Sequence, residues 1–416
     1  MSAGKAAVCA LGKDNAAEAQ RIIEQLRFGL PPSGHVRDFT VGPTMQLRLL
    51  EEQLNGSSLS GRAGALLIKA GYGGGKSHLL QLIREAALDA GYATSLVVAN
   101  AAEGVRFDRV DAVLGAVSRQ IEVDTSGRHG AGALFNLLTR PATGRDAMIG
   151  QSRLSSRGRW DYSEYLRSPA MYVAVRAWVR SDDATVRAVA EDWLTNPGAY
   201  REQRRRLYDV LVHELRDRFK DPRPEWKFFS EALLTFGSDP GGQAWTALGD
   251  LDAIARAAGL RGLVLLFDEA EDLLHGLPRV DQQQQALLNL LRFFDEPNGV
   301  LLSFFAVTPD FVERSKRQLL QHALYDFDYA RLDRLPALEV PAIEREDAGE
   351  LACRIRAVHA LAYRWDAARS LPDSDLAGVV DQQWRIDSPD RLRRTIQATI
   401  EALDARRATV AARDQP

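Results

Sequence analysis

With 416 residues, 45% of them hydrophobic and 26% charged, and a net charge of −3, the chain has the composition of a folded globular protein, long enough for a large core and two or three domains. The near-neutral charge excludes any compositional argument for nucleic-acid or membrane affinity, and no stretch approaches the ~18 apolar residues of a membrane span. Two cysteines, Cys9 and Cys353, stand far apart without metal-ligand company; this excludes a disulfide framework or zinc site, suits a reducing cytosol and, with an opening too short and polar for a signal peptide, leads us to expect a cytoplasmic protein off the membrane.

Taken in chain order, AEAQRIIEQLRF repeats apolar residues at helical spacing (Ile22, Ile23, Leu26, Phe28), and Pro31 and Pro32 end that helix. HVRDFTVG is predicted to be extended, and PTMQLRLLEEQLNG returns to helical period with Pro43 in its first turn. Val41 and Gly42 precede the next motif where many ATPases contact adenine; a plain connector is the alternative.

The apolar run ALLIK, the loop AGYGGGKSHLL and the pattern LLQLIREAALDAG then predict a strand, a glycine-rich loop and a helix start. Such a loop wraps backbone N–H groups around polyphosphate. Gly73, Gly74 and Gly75 can adopt left-handed angles without a Cβ penalty, so successive amides can converge on one anion. Lys76 would meet the β- and γ-phosphates and Ser77 would offer its hydroxyl to Mg²⁺. Ala70 stands where the usual G-x-x-x-x-G-K-[ST] spacing has its first glycine. A glycine-rich turn between strand and helix is common, so a partner motif is needed.

ATSLVVAN predicts a second buried strand, after which residues 101–255 read as a helical insertion, with MYVAVRAWVR, VRAVAEDWL and LYDVLVHELRDRF as its amphipathic segments. Basic stretches such as Arg201 to Asp209, Arg216 to Lys227 and Asp390 to Thr395 read first as solvated helix faces. The core resumes at GLVLLFDEAEDLLHG, an apolar strand ending in Asp268 and Glu269. Open α/β sheets place ligands at that end. There Asp268 can hold Mg²⁺ through water and Glu269 can orient the water that attacks the γ-phosphate. Paired with the Lys76 loop, these carboxylates are the second half of a hydrolytic site.

VLLSFFAVTPDF predicts another strand ending in Thr308, which can touch the γ-phosphate or lytic water, cap the following helix, or do both. Arg331 and Arg334 come just before a last short strand at Leu338 to Val340, where a guanidinium can reach a neighbouring subunit's phosphate; plain exposed arginines are the alternative. Residues 344–416 give three helical patterns that read as a lid, with Arg391, Arg393 and Arg394 available to bend towards nucleotide.

This series resembles the AAA+ class of P-loop ATPases near its origin-recognition-like branch. The pieces RIIEQLRFGLPPSG…FTVG, GYGGGKSHLL with His78 after the serine, and LVLLFDEAEDLL are similar, more narrowly, to the ATP-binding P-loop proteins of bacterial phage-exclusion (BREX-type) systems. The resemblance implies an α/β P-loop fold of AAA+ type with a central parallel sheet. Its core would lie at 61–100 and 256–343, the N-terminal segment at 1–60 would carry the adenine contact, and a helical lid would follow the insertion and core. It implies ATP and Mg²⁺ as cofactors, with Lys76, Glu269, Thr308 and Arg331 catalytic, Arg331 being the trans-acting finger, and Ser77 and Asp268 on the metal. The nucleotide would be held by Val41, Gly42, Gly71, Tyr72, Gly73, Gly74, Gly75, Lys76, Ser77, His78 and Arg391. Other defence proteins, a helicase among them, a homo-oligomer and DNA are the partners it suggests. A nucleotide-gated scaffold that binds ATP with little hydrolysis is the alternative. A DEAD/DEAH helicase reading of Asp268 to Glu271 lacks the second RecA-like domain's motif, and no N-K-x-D motif supports GTP.

Overall fold

The computed structural model describes residues 15–42, 64–99, 105–124, 128–140, 165–195, 240–295 and 301–413, except 323, 387 and 389, with isolated positions within 49–54, 144–163 and 205–209. Cys9, Pro43, most of the segment Leu207 to Phe219 and the basic stretch Arg216 to Lys227 lie outside the described residues. The element order is α1 (Ala16–Arg27), β1 (Ala65–Lys69), α2 (Lys76–Asp89), β2 (Ala93–Val98), α3 (Val110–Arg119), β3 (Ile121–Glu122) and α4 (Ala131–Leu138). A small hairpin of β4 (Arg153–Leu154) and β5 (Trp160–Asp161) leads to α5 (Pro169–Arg180), α6 (Ala184–Thr195) and α7 (Pro240–Ala257). Then come β6 (Leu263–Asp268), α8 (Val280–Asp295), β7 (Leu302–Val307), α9 (Phe311–Gln321), α10 (Ala330–Asp333) and β8 (Ala337–Glu339). The chain closes on α11 (Arg345–Tyr363), α12 (Ala367–Ser370), α13 (Asp373–Trp384) and α14 (Arg391–Arg413).

The fold is mixed α/β, with a six-stranded, mostly parallel sheet ordered β3-β2-β6-β7-β1-β8. Strands β2 and β6 run parallel in register from Ala93 opposite Leu263 to Val98 opposite Asp268, and β6 and β7 run parallel with Phe267 opposite Phe305. Burial on both faces explains why these strands are continuous apolar runs: Leu263 to Phe267 have no exposed surface.

The chain divides into two compact units, one of 1–51, 68–85 and 338–416, the other of 52–67 and 86–337, the division passing through β1 and β8. In the second unit, α3, α4, α5, α6 and α7 share one apolar core with the strands. Phe267 stacks on Phe305 at 4.7 Å, and Phe107 and Phe293 meet both edge-on. Two buried carboxylates on α7 fasten its neighbours. Asp250 accepts from the Arg167 and Ser168 amides at the start of α5, and Asp252 accepts from the Leu263 amide where β6 begins. Burial pushes the Asp250 carboxyl up to about 7, against the pull of those two amides.

In the first unit, α1 packs with α11, α13 and α14 around Ile22, Ile23, Leu351, Ile355, Ile400 and Leu403. One prediction changes here. Instead of an extended run, Val36–Phe39 forms a 3₁₀ turn. The Thr40 hydroxyl donates to Val36 C=O at 2.8 Å and His35 pairs with Asp38, which closes the chain on itself. Val36, Phe39 and Val41 still bury their side chains.

Candidate functional site

In the first unit, the glycine-rich loop runs from the buried end of β1 to the first residue of α2. Gly73 and Gly75 have φ of +67° and +84°, backbone that favours glycine, and Gly74 closes a turn through its N–H to Gly71 C=O at 3.0 Å. A Cβ at Gly74 would lie 3.0 Å from that carbonyl and 3.4 Å from the Ala70 methyl. Ala70 itself is buried, so its methyl is housed by the fold; glycine is called for at 73 and 75 by the backbone, and space is tight at 74. The first intrahelical bond of α2 is Leu79 N–H to Gly75 C=O, which directs the amides of the turn before it into the loop.

Lys76 sits at the start of α2 with Nζ 3.5 Å from Ala70 C=O and 5.0 Å from the centre of the Tyr72 ring, which is 64% exposed. The ammonium is thus held over the loop by an aromatic face and a carbonyl. Ser77 beside it is exposed. His78, one residue on, turns away from the loop: its Nε2 lies 2.8 Å from the Thr40 hydroxyl oxygen. Burial pushes the His78 imidazolium down to about 4, so the ring is neutral near pH 7.

Val41 is buried, and Gly42 follows it at φ +88°. A Cβ there would meet the Asp347 carboxylate at 3.1 Å and Ile343 at 3.2 Å, so position 42 needs glycine for backbone and for space. Arg391 opens α14 with its guanidinium 5.1 Å from the Trp384 ring centre.

In the second unit, β6 delivers Asp268 and Glu269 to its C-terminal end. The Glu269 amide donates to Asp268 Oδ1 at 2.9 Å, and Glu269 is exposed. Its backbone is left-handed, φ +52° and ψ +31°, one of two non-glycine residues so placed among the described residues. Holding glutamate there costs about 1 kcal/mol or more, a cost that clusters at functional sites. Thr308 follows β7, buried, and its hydroxyl holds the Asp310 carboxyl below the usual carboxylate range. Arg331 is half-buried in the single turn of α10, and Arg334 caps that turn from an exposed position. Behind the 3₁₀ turn Ala270–Asp272, Arg314 of α9 donates to Glu271 C=O at 2.6 Å, bordering a cavity of about 460 Å³.

Three features escape sequence reading. The left-handed Glu269 has no local signal, because glutamate is not a turn-forming residue. Glu85, on α2, accepts the Gly34 and Val36 amides at 2.6 and 3.1 Å, and Arg354, on α11, donates to Asp38 C=O and Thr40 C=O at 2.7 and 3.0 Å. Each looks like an ordinary charged helix residue until its distant partner is known.

Among the described residues no helix is long and apolar enough to cross a membrane, and no cluster of three or more His, Cys, Asp or Glu is arranged to hold a metal ion. Comparison with curated proteins gives no match. The protein family described as BREX system ATP-binding protein BrxC/D matches residues 15–141 and 241–406, so both the glycine-rich loop and the acidic strand end fall within it while 142–240 stands between the matched parts. The loop's shape fits a phosphate cradle, and the family's description adds an ATP-binding role in a phage-defence system. On a match across most of its length, this chain belongs to the BREX system ATP-binding protein BrxC/D family.

Proposed function

We propose that the chain binds ATP with Mg²⁺ and hydrolyses it, as an AAA+ type ATPase serving as motor or switch in a multi-protein anti-phage assembly. The observation that carries this reading is the loop: two left-handed glycines, a third in tight space against the Gly71 carbonyl, and a helix that begins at Lys76. Gly71 to Ser77 bind the phosphates, with Lys76 leaving its carbonyl and aromatic rest position for the β- and γ-oxygens. Ser77, and Asp268 through water, would hold Mg²⁺. A hydroxyl and one carboxylate suit this ion, which keeps waters and substrate phosphates as its other ligands. Bound Mg²⁺ would neutralise charge building on the phosphates. Glu269 takes a proton from the attacking water, and Thr308 positions that water or the γ-phosphate. Val41 and Gly42 contact the base and Arg391 the phosphates. Arg331 acts on a neighbouring copy of the chain, which makes the protein a homo-oligomer. Work on DNA beside a helicase partner belongs to the same reading.

The test is Mg²⁺-dependent phosphate release from ATP, with and without DNA, read beside particle size by light scattering. Lys76→Ala and Glu269→Gln lower turnover on the order of a hundredfold or more. Arg331→Ala lowers it only in the oligomer. Equal turnover in Glu269→Gln and the parent removes Glu269 as the base, and normal turnover in oligomeric Arg331→Ala removes the trans-acting finger. Tight ATP binding with no release in any condition turns the reading into the nucleotide-gated scaffold.

A further inference from the structure

The segment 34–42 is held from two sides, by Glu85 and Arg354, which the loop motif does not include, and by His78, which the motif includes but which faces Thr40. On α2, His78 and Glu85 are seven residues apart, two helical turns, and so share one face. Both carboxylate oxygens of Glu85 are used, one on the Gly34 amide and one on the Val36 amide. His78 meets Thr40. The Thr40 hydroxyl has a single proton and gives it to Val36 C=O at 2.8 Å, so it can only accept from His78, whose Nε2 therefore carries the hydrogen.

On α11 the spacing repeats. Asp347 and Arg354 are also seven residues apart, on one face. Arg354 spends one terminal nitrogen on Asp38 C=O and Thr40 C=O and pairs its other with Glu350. Asp347 and Ile343 close on Gly42. The backbone just before Val41 and Gly42 is thus fixed by Thr40 twice over, its hydroxyl to α2 and its carbonyl to α11. Phe39 and Val41 add apolar anchoring in the core with α1 and α11.

We propose that residues 34–42 are a strap whose position sets the nucleotide base site, and that His78, Glu85 and Arg354 are positioning residues for base recognition without being ligands of the phosphates. This rests on the ATP reading above. The helix that begins at Lys76 also carries the strap's anchors, so a shift of that helix moves the base contacts with the phosphate loop. Arg354 ties the same strap to α11, so base occupancy and the setting of the C-terminal helices are coupled through Thr40.

The probe that separates this role from phosphate binding is inorganic tripolyphosphate, which offers the loop its charges and no base. Calorimetric titration of the full chain with ATP, GTP and tripolyphosphate, each with Mg²⁺, gives the test. The parent binds ATP more tightly than tripolyphosphate. His78→Ala and Arg354→Ala each weaken ATP by about tenfold, the usual scale for losing a hydrogen bond to a buried or charged partner, and leave tripolyphosphate unchanged. His78→Gln, which keeps an N–H donor, and Arg354→Lys, which keeps a cation, recover part of the ATP affinity. Thermal melts identify any variant that fails to fold, and the conservative pair then carries the measurement. Equal losses for ATP and tripolyphosphate, or no loss for ATP, overturn the proposal. A parent that binds the two alike overturns the strap while leaving the phosphate loop standing, whereas a parent that binds neither overturns the ATP reading itself.

Discussion

Two regions that the proposed function draws on, the acidic strand end and the segment 34–42 beside the glycine-rich loop's helix, are held by different forces. The acidic half ends a strand whose residues Leu263 to Phe267 are fully buried, backed by stacked and edge-on phenylalanines. The segment 34–42 adds polar fastenings to its buried Val36, Phe39 and Val41: Glu85 to two amides, His78 to a hydroxyl, Arg354 to two carbonyls. Close packing resists displacement in every direction and has no partner to exchange. Hydrogen bonds are directional, and water or a ligand can take them over at small net cost. The acidic strand end is thus held by packing, and the segment 34–42 by a packed face together with directional polar bonds.

The sharpest way to break this contrast is at Glu269, where strain and chemistry coincide. Glu269→Gly removes the left-handed penalty and the carboxylate together. Phosphate release should fall on the order of a hundredfold or more while the protein gains about 1 kcal/mol in denaturant melts. A variant that is no more stable would show that the backbone there is unstrained.

Phe267→Ala attacks the packed half directly. Emptying the centre of the aromatic cluster should cost about 3–5 kcal/mol, read from the urea midpoint, because the surrounding rings Phe107, Phe293 and Phe305 are themselves buried and packed on one another and cannot collapse into the space. A loss below about 1 kcal/mol would mean the acidic strand is not rigidly supported, and the contrast would fail.

The smallest effect is a pH slope on the polar half. His78 has an ordinary value of 6.5, lowered to about 4 in the folded chain by burial. Between those values the unfolded chain binds a proton that the folded chain refuses, so stability falls as pH drops from 6.5 towards 4 and His78 adds nothing further below it. Glu85 works the other way. Burial raises its carboxyl above 4.5, so its contribution is lost as pH rises through that region. The difference in melting temperature between the parent and His78→Gln isolates the imidazole. It should widen in favour of the variant below pH 6.5, and a pH-independent difference would place the ring in contact with water.

Much of the fold and of the loop is legible in the sequence. Strands β1, β6 and β7 stand out because burial on both faces demands unbroken apolar runs, and the loop stands out because phosphate cradles need glycine before a lysine. The family followed from the same stretches and from the RIIEQLRFGLPP opening. The turn at Val36–Phe39 reads as extended in the sequence because its apolar residues alternate, and because part of what holds it, the Glu85 carboxylate on the Gly34 amide, lies 51 residues further along the chain. Arg354 was invisible for the same reason, its carbonyl partner Thr40 being 314 positions away. Periodicity reports which face of an element is apolar; it carries nothing about a polar side chain that leaves its own helix to bond a distant backbone.

The crowding at Gly74 also bears on how such loops are found. A spacing rule written around the first glycine passes over a chain with alanine at position 70, although the methyl there is comfortably housed. What this loop asks for is glycine at 73 and 75, where φ is positive, and a slim residue at 74 against the Gly71 carbonyl. Relatives are therefore better sought by those three positions than by the letter at 70, and a substitution that looks disqualifying in one column is harmless while the others hold.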